Sequence, residues 1–309
     1  MSEKRKVILD CDPGHDDAIS IILAASSDRI QIEGITTVAG NVEVEKTTLN
    51  ALKVCDLLGL DVPVARGAEQ PLVKVREFAP DIHGDSGLDG PQLPEVPKKQ
   101  VIDQHAVDFI IERVMASDGE ITLVPTGPLT NIALALQKEP AIVEKIQEIV
   151  LMGGGTFGNW TPTAEFNIYV DAEAAEMVFN SGVPVTMFGL DVTHQAITTP
   201  AILDRIASIG SPISEFVGEL LAYFTQTYKD IFGFEGAPIH DACTVAYLID
   251  ESIFEFETVR VDIETKGEFT YGTTCVDHLH VTGREPNVKF ANGIDQEKFW
   301  GLLLSALKG

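Results

Sequence analysis

Residues 10–18 read Asp10-Cys11-Asp12-Pro13-Gly14-His15-Asp16-Asp17-Ala18, which puts four carboxylates within eight residues. Like charges this close repel unless something positive sits among them, and hard oxygen donors select Ca²⁺ or Mg²⁺ over zinc. Asp16 and Asp17 also precede an apolar segment beginning at Ala18, where acids favour the positive end of a helix. One acid suffices for that, and capping leaves Asp10 and Asp12 unexplained. A divalent cation is the economical reading.

Two further stretches carry polar groups that could meet this cluster. In Pro238-Ile239-His240-Asp241-Ala242 a His and an Asp stand at a predicted helix start over Ala242–Ile249. Alone, the Asp reads as an N-cap and the His as a structural residue; beside the first cluster the pair gains weight. Residues 153–158 contain a formal GxGxxG, but Asn159-Trp160-Thr161-Pro162 follows, and Pro162 interrupts the helix that should receive a pyrophosphate. Asn159, Glu165 and Asn167 read instead as hydroxyl-binding groups on a loop or, failing that, as part of a solvated glycine-rich turn.

The elements that must position these groups follow from hydropathy. Apolar, β-branched runs at Val7–Asp10, Ile32–Val38, Val62–Ala65, Ile121–Pro125, Ile149–Met152 and Val185–Gly189 predict buried strands. Helical spacing predicts helices over Ala18–Ala25, Val44–Leu58, Ala106–Ala116, Asn131–Gln137, Ala172–Asn180 and Ser214–Tyr228. Strand alternating with helix predicts an α/β fold, a single doubly wound, mainly parallel, Rossmann-like sheet flanked by helices. Such sheets bind ligands at the carboxyl ends of their strands, where Asp10 and Asp12 fall. Residues 66–100 lack periodicity and predict one long loop. At the other end, Thr258–Glu264 and Tyr271–Val276 predict a small C-terminal hairpin over Lys266–Gly267, and Gln296–Leu307 a closing helix.

The 309 residues, with 45% hydrophobic and 22% charged side chains, exclude disordered and collagen-like classes and fit one domain over 1–309. Subtracting 47 acidic from 22 basic residues gives −25, a field that repels a phosphate backbone and argues against nucleic acid. Four widely spaced cysteines make neither a disulfide framework nor a zinc site. Only Val7, Ile8 and Leu9 are apolar between the charged start and Asp10, and the longest apolar stretches fall short of the roughly 18 residues that span a bilayer. These features predict a cytoplasmic protein with no membrane association.

Taken together, the motif segments resemble the inosine-uridine nucleoside hydrolase family, whose amino-terminal motif has the form DxDPGxDD. The chain carries DCDPGHDDA at 10–18, Gly40-Asn41, Pro125-Thr126-Gly127-Pro128-Leu129-Thr130-Asn131, MGGG at 152–155, Thr161-Pro162-Thr163-Ala164-Glu165-Phe166-Asn167, and His240-Asp241, in family order. The resemblance implies a Ca²⁺-dependent hydrolase that splits a ribonucleoside into ribose and free base. By motif position, Asp12, Asp17 and Asp241 would bind calcium through carboxylates and Thr126 through its carbonyl. Asp12 would also serve as general base toward a metal-activated water. Asp16, Asn41, Met152, Asn159, Glu165 and Asn167 match ribose-contacting positions, and Asp10 would orient the ligands from behind.

The resemblance further implies that His240 protonates the leaving base and that the segment around His83 is a mobile flap over it. Phe166, Tyr228 and Phe232 would line the base pocket, although Phe224, Tyr228 and Phe232 at four-residue spacing equally describe a core stripe. Strictly pyrimidine-specific members carry hydroxyl or amide groups where this chain has Phe224 and Tyr228, so uridine and inosine are the expected substrates, with cytidine next. The resemblance also implies a homodimer or homotetramer. Competing readings are a strictly pyrimidine-specific hydrolase, an aspartate-nucleophile phosphohydrolase suggested by Asp10-Cys11-Asp12, and a non-catalytic Ca²⁺-dependent nucleoside binder. Pro13 and Gly14 fit the phosphohydrolase motif poorly, and a binder would lack a usable base.

Overall fold

The structure, a computed structural model, describes residues 4–308. Nine strands share one sheet: β1 Arg5–Cys11, β2 Ile30–Thr37, β3 Val64–Arg66, β4 Ile121–Pro125, β5 Ile146–Met152, β6 Val185–Phe188, β7 Phe254–Ile263, β8 Thr274–Asp277 and β9 Val288–Ile294. Their order is β3-β2-β1-β4-β5-β6-β9-β7-β8. Pairing is parallel from β3 through β9, and β7 and β8 add antiparallel at one edge. The order 3-2-1-4-5-6 is the doubly wound arrangement, which reverses direction beside β1, so a crevice opens where β1 and β4 end. Register sets Asp10 opposite both Thr36 and Pro125, leaving Asp12 and Thr126 side by side just beyond the sheet.

Helices α1 His15–Ser26, α2 Val44–Leu58, α3 Pro80–His83, α4 Ala106–Ala116, α5 Thr130–Lys138, α6 Phe166–Val170, α7 Ala172–Phe179, α8 Leu190–Thr193, α9 Pro200–Ala207, α10 Pro212–Phe232, α11 Ala242–Ile249 and α12 Gln296–Ala306 complete the chain. One apolar cluster takes Ile19 and Ile22 of α1, Leu220 of α10, Val245 of α11 and Leu303 of α12. The other takes Phe109 of α4, Ile132 of α5 and Val178 of α7, on the opposite face. Among the described residues no helix is long and apolar enough to cross a membrane.

Three features differ from the expectation. The hairpin of β7 and β8 is present, but β7 begins at Phe254 and pairs along most of its length with β9, so it extends the main sheet instead of standing apart. Asn292-Gly293 disguises β9 as a turn, while Val288 and Phe290 alternate inward. The second difference is α9, hidden behind Pro200; the proline sits in the first turn, where it is tolerated, and Thr199 caps the Ile202 N–H. Finally, α1 begins at His15 rather than Ala18, which makes Asp16 and Asp17 its first-turn residues.

Asn131, at the start of α5, ties the strand ends together. Its amide donates to Asp10 Oδ1 at 2.8 Å and Thr37 O at 2.9 Å, and its oxygen accepts the Ala68 N–H at 2.9 Å. Asn131→Ala strands three buried partners and should cost about 2–4 kcal/mol, read from the urea midpoint; a change below a few tenths contradicts this anchoring.

Candidate active site

Asp12 leaves β1 into a cradle that only glycine permits. A Cβ on Gly40 would lie 2.0 Å from Asp12 Oδ2, and one on Gly127 2.6 Å from Oδ1. Asp12 Oδ2 accepts the Asn41 backbone N–H at 2.7 Å, and the Asn41 amide donates to Asp12 O and, at 3.4 Å, to Asp17 Oδ2. Asp17 does two jobs. It accepts the Gly14 N–H, closing the first turn of α1, and takes the Thr126 hydroxyl at 2.8 Å.

Asp241 arrives from 224 residues downstream of Asp17. It stands at the N-cap of α11, yet its carboxylate makes no capping bond and turns to the cluster instead. Asp16, Asp17 and Asp241 each place an oxygen within 4.8 Å of the others, and all are buried. Asp12 lies outside that trio but close enough that Asp17 and Asp16 raise its pKa. The Thr126 carbonyl accepts the Asn167 amide at 2.7 Å, which fixes its direction and leaves a second lone pair. Asp10 reaches none of these carboxylates. Its Oδ1 takes Thr36 and Asn131, and it positions Thr126 only through its backbone carbonyl, which accepts the Thr126 N–H at 2.9 Å.

Burial dominates the electrostatics. It pushes Asp10, Asp16 and Glu165 up to about 7, and pushes Asp12 and Asp241 well above the carboxylate range, with mutual repulsion among Asp12, Asp16, Asp17 and Asp241 adding to the effect. Among the described residues no lysine or arginine lines the cavity. Uncompensated, oxygen-only and buried, this donor set fits a hard divalent cation.

The cavity above the acids measures about 570 Å³. One wall is polar. Glu165 accepts N–H groups from Gly154, Asn167 and Ile168, thereby capping α6; Asn159 accepts the Phe166 N–H; and the Asn167 amide also reaches Met152 O. Asn41, Met152, Asn159, Glu165 and Asn167 all line the cavity. The glycine-rich loop has spent its amides internally, Gly155 N–H on Thr274 and Thr156 N–H on Asp191, which ends the dinucleotide reading.

The other wall is aromatic and holds two histidines. Phe166, Phe224, Tyr228 and Phe232 line it, and Phe224 and Tyr228 meet edge-on at 4.9 Å, so the stripe is both core and pocket. His240 bonds Thr193 Oγ1 at 2.8 Å and the Tyr228 hydroxyl at 2.9 Å. Burial holds His240 and His83 well below the ordinary imidazole range, so both are neutral at pH 7. The 66–100 segment is a loop broken by α3, and it brings His83 over Gly14. Sequence reasoning assigned no role to His15, Trp160 or Thr193. Thr193 carries no local signal, whereas His15 stood inside the acidic motif.

Because Asp10, Asp16 and Glu165 hold protons in the fold up to about pH 7 but lose them near pH 4 when unfolded, the unfolded chain binds fewer protons between those values. Stability of chelator-treated protein should therefore fall as pH rises from about 4 to about 7. Added Ca²⁺ should raise Tm more at pH 8 than at pH 5, since protons must leave before it binds. Scanning calorimetry with and without Ca²⁺ checks this, and a Ca²⁺ effect larger at pH 5 contradicts it.

Comparison with known proteins identifies the family. The inosine-uridine preferring nucleoside hydrolase family matches residues 7–301. The chain is 47% identical over 309 residues to the pyrimidine-specific ribonucleoside hydrolase RihB of Escherichia coli O157:H7, covering 99% of this chain and 98% of that one. Among solved structures, a purine-preferring ribonucleoside hydrolase from Gardnerella vaginalis is 34% identical, with a TM-score of 0.92 over 98% of both chains. A plant nucleoside hydrolase, PpNRh1, is 31% identical, with a TM-score of 0.93 over 99% of both. The chain belongs to the inosine-uridine preferring nucleoside hydrolase family and is a ribonucleoside N-glycosidase.

Proposed function

We propose that this enzyme is Ca²⁺-dependent and hydrolyses uridine and inosine foremost, with cytidine next, to ribose and free base. The observation that carries the reading is the buried trio Asp16, Asp17 and Asp241 beneath a cavity whose far wall is aromatic and carries His240. Asp12, Asp17, Asp241 and the Thr126 carbonyl would hold the cation, with Asp16 at its edge. When bound, Ca²⁺ supplies the charge that lets these acids ionise together and orders ribose hydroxyls and water.

The protein's own groups account for the rest. Asp12, held from both sides by the Gly40 and Gly127 loops, accepts a proton from the attacking water. Asp16, Asn41, Asn159, Glu165 and Asn167 grip the ribose, and the carboxylates stabilise the positive charge that develops on the sugar as the base departs. Water attack without a covalent enzyme intermediate inverts the anomeric carbon. His240, set between Thr193 and Tyr228, takes up a proton from solvent and passes it to the leaving base, and Phe166, Tyr228 and Phe232 stack against it.

Phe224 and Tyr228 present aromatic rings to the pocket, which supports acceptance of a purine as well as a pyrimidine. The 47% identity to a relative named pyrimidine-specific favours the narrower alternative of pyrimidine nucleosides alone. On the family resemblance we also propose a cytoplasmic homodimer or homotetramer, each chain one catalytic unit over 1–309.

Asp12→Asn should lower kcat at least a hundredfold with the circular dichroism spectrum unchanged, and near-normal turnover would remove Asp12 as the base. His240→Ala should slow inosine far more than uridine, because a uracil anion leaves the more easily. Equal losses would make His240 a ribose-positioning residue.

A further inference from the structure

The loop over the cavity passes through a charged cluster before it reaches α3. The Lys74 ammonium is buried and finds no aligned hydrogen-bond acceptor among the described residues. Charge holds it instead. Glu77 Oε1 lies 2.9 Å from Nζ, the centroid of the Tyr169 ring 3.1 Å, and that of the Tyr271 ring 5.2 Å. The other oxygen of Glu77 accepts the Trp160 indole N–H at 3.1 Å, and Trp160 meets Phe166 edge-on at 5.0 Å. A chain of contacts thus runs from Lys74 through Glu77 to Trp160, and no step of the proposed reaction uses it.

This chain joins the two surfaces that a nucleoside must touch at once. Phe78, Ile82 and His83 line the cavity from the loop, and Asn159, Glu165 and Asn167 line it from the polar wall. Lys74 and Glu77 belong to the first segment, Trp160 and Tyr169 to the second. Ala79 and Ile82 of the loop also pack with Phe166, Val170 and Trp160, but apolar packing has no direction. An ion pair, a cation–π contact and an indole hydrogen bond do have direction, and together they fix one register. The far end of the roof is fastened independently by Asn50, which donates to Ser86 O at 2.8 Å and Pro13 O at 3.0 Å. Val73 and Val75 on either side of Lys74 face solvent, so the fold gives up the hydration of an ammonium here for contacts that join the loop to the wall.

We propose that Lys74 and Glu77 are positioning residues for nucleoside binding: together they latch the roof of the base pocket in register with the ribose wall, through Trp160 and Tyr169. This deepens the proposed function and rests on that reading. The latch acts on binding and leaves the chemistry alone, because Asp12 follows β1 and His240 precedes α11, elements it does not touch. A roof free to drift against the wall loses its simultaneous grip on base and sugar. That weakens ground state and transition state alike, which raises KM and spares kcat.

Steady-state kinetics and amide hydrogen exchange test the latch. Lys74→Met keeps an unbranched side chain and loses the charge. It should raise KM for uridine about tenfold with kcat changed less than about twofold, and speed exchange over residues 78–83. Lys74→Arg, whose guanidinium can both stack on Tyr169 and pair with Glu77, should restore KM. Glu77→Leu should match Lys74→Met, and the double variant should be no worse than either, since the pair acts as one unit. An unchanged KM in Lys74→Met, a kcat that falls as far as KM rises, or a Lys74→Arg no better than Lys74→Met overturns the proposal. If the wild type releases base from no nucleoside, the hydrolase reading has failed, and exchange over 78–83 decides the latch alone: faster in Lys74→Met supports it, unchanged overturns it.

Discussion

The structure depends on keeping five aspartates dehydrated beside one another. Asp10, Asp12, Asp16, Asp17 and Asp241 are all buried, and the loss of their hydration opposes their charge, with repulsion among Asp12, Asp16, Asp17 and Asp241 adding to it. The surroundings are arranged to contain it. Asn131 and Thr36 hold Asp10, backbone N–H groups of Asn41 and Gly14 hold Asp12 and Asp17, and the His240 N–H meets Asp16 at 3.3 Å. None of these donors carries a full charge, so they orient the acids without neutralising them. A bound cation would do the remainder, which would couple metal binding to the stability of the crevice.

The fold delivers these groups through its topology. The reversal of strand order beside β1 opens the crevice, β4 brings Thr126 alongside Asp12, and the entry to α11 supplies Asp241. On the opposite wall the chemistry is reversed: aromatic rings exclude water and hold His83 and His240 neutral. An acidic floor therefore faces a neutral aromatic roof, a separation that suits the proposed reaction, in which positive charge gathers on the ribose while the base leaves.

Much of this was legible in residues 10–18 because a strand end followed by four acids has few structural uses, and in His240-Asp241 once that cluster was recognised. The parallel strands were legible because they are continuous apolar runs. The edge strand β9 was not, since Asn292-Gly293 carries a turn signature and its pairing with β7 is a tertiary choice. The helix start at His15 was hidden because Gly14, with no side chain, serves as N-cap and Asp17 closes the turn from within. The partners of His240 and His83 are distant in sequence: Thr193, 47 residues from His240, carries no local signal, and His15, 68 residues from His83, stands inside the acidic motif, but nothing there marks its contact with the loop.

The most direct test of this account is chromatographic release of free base from uridine, cytidine, inosine, adenosine and thymidine, with and without a calcium chelator. The account predicts uracil and hypoxanthine as the leading products, cytosine next, little from the 2′-deoxynucleoside thymidine, and loss of all release on chelation with recovery on added Ca²⁺. Intact nucleosides from folded, Ca²⁺-loaded protein, or release that is indifferent to the chelator, would contradict it.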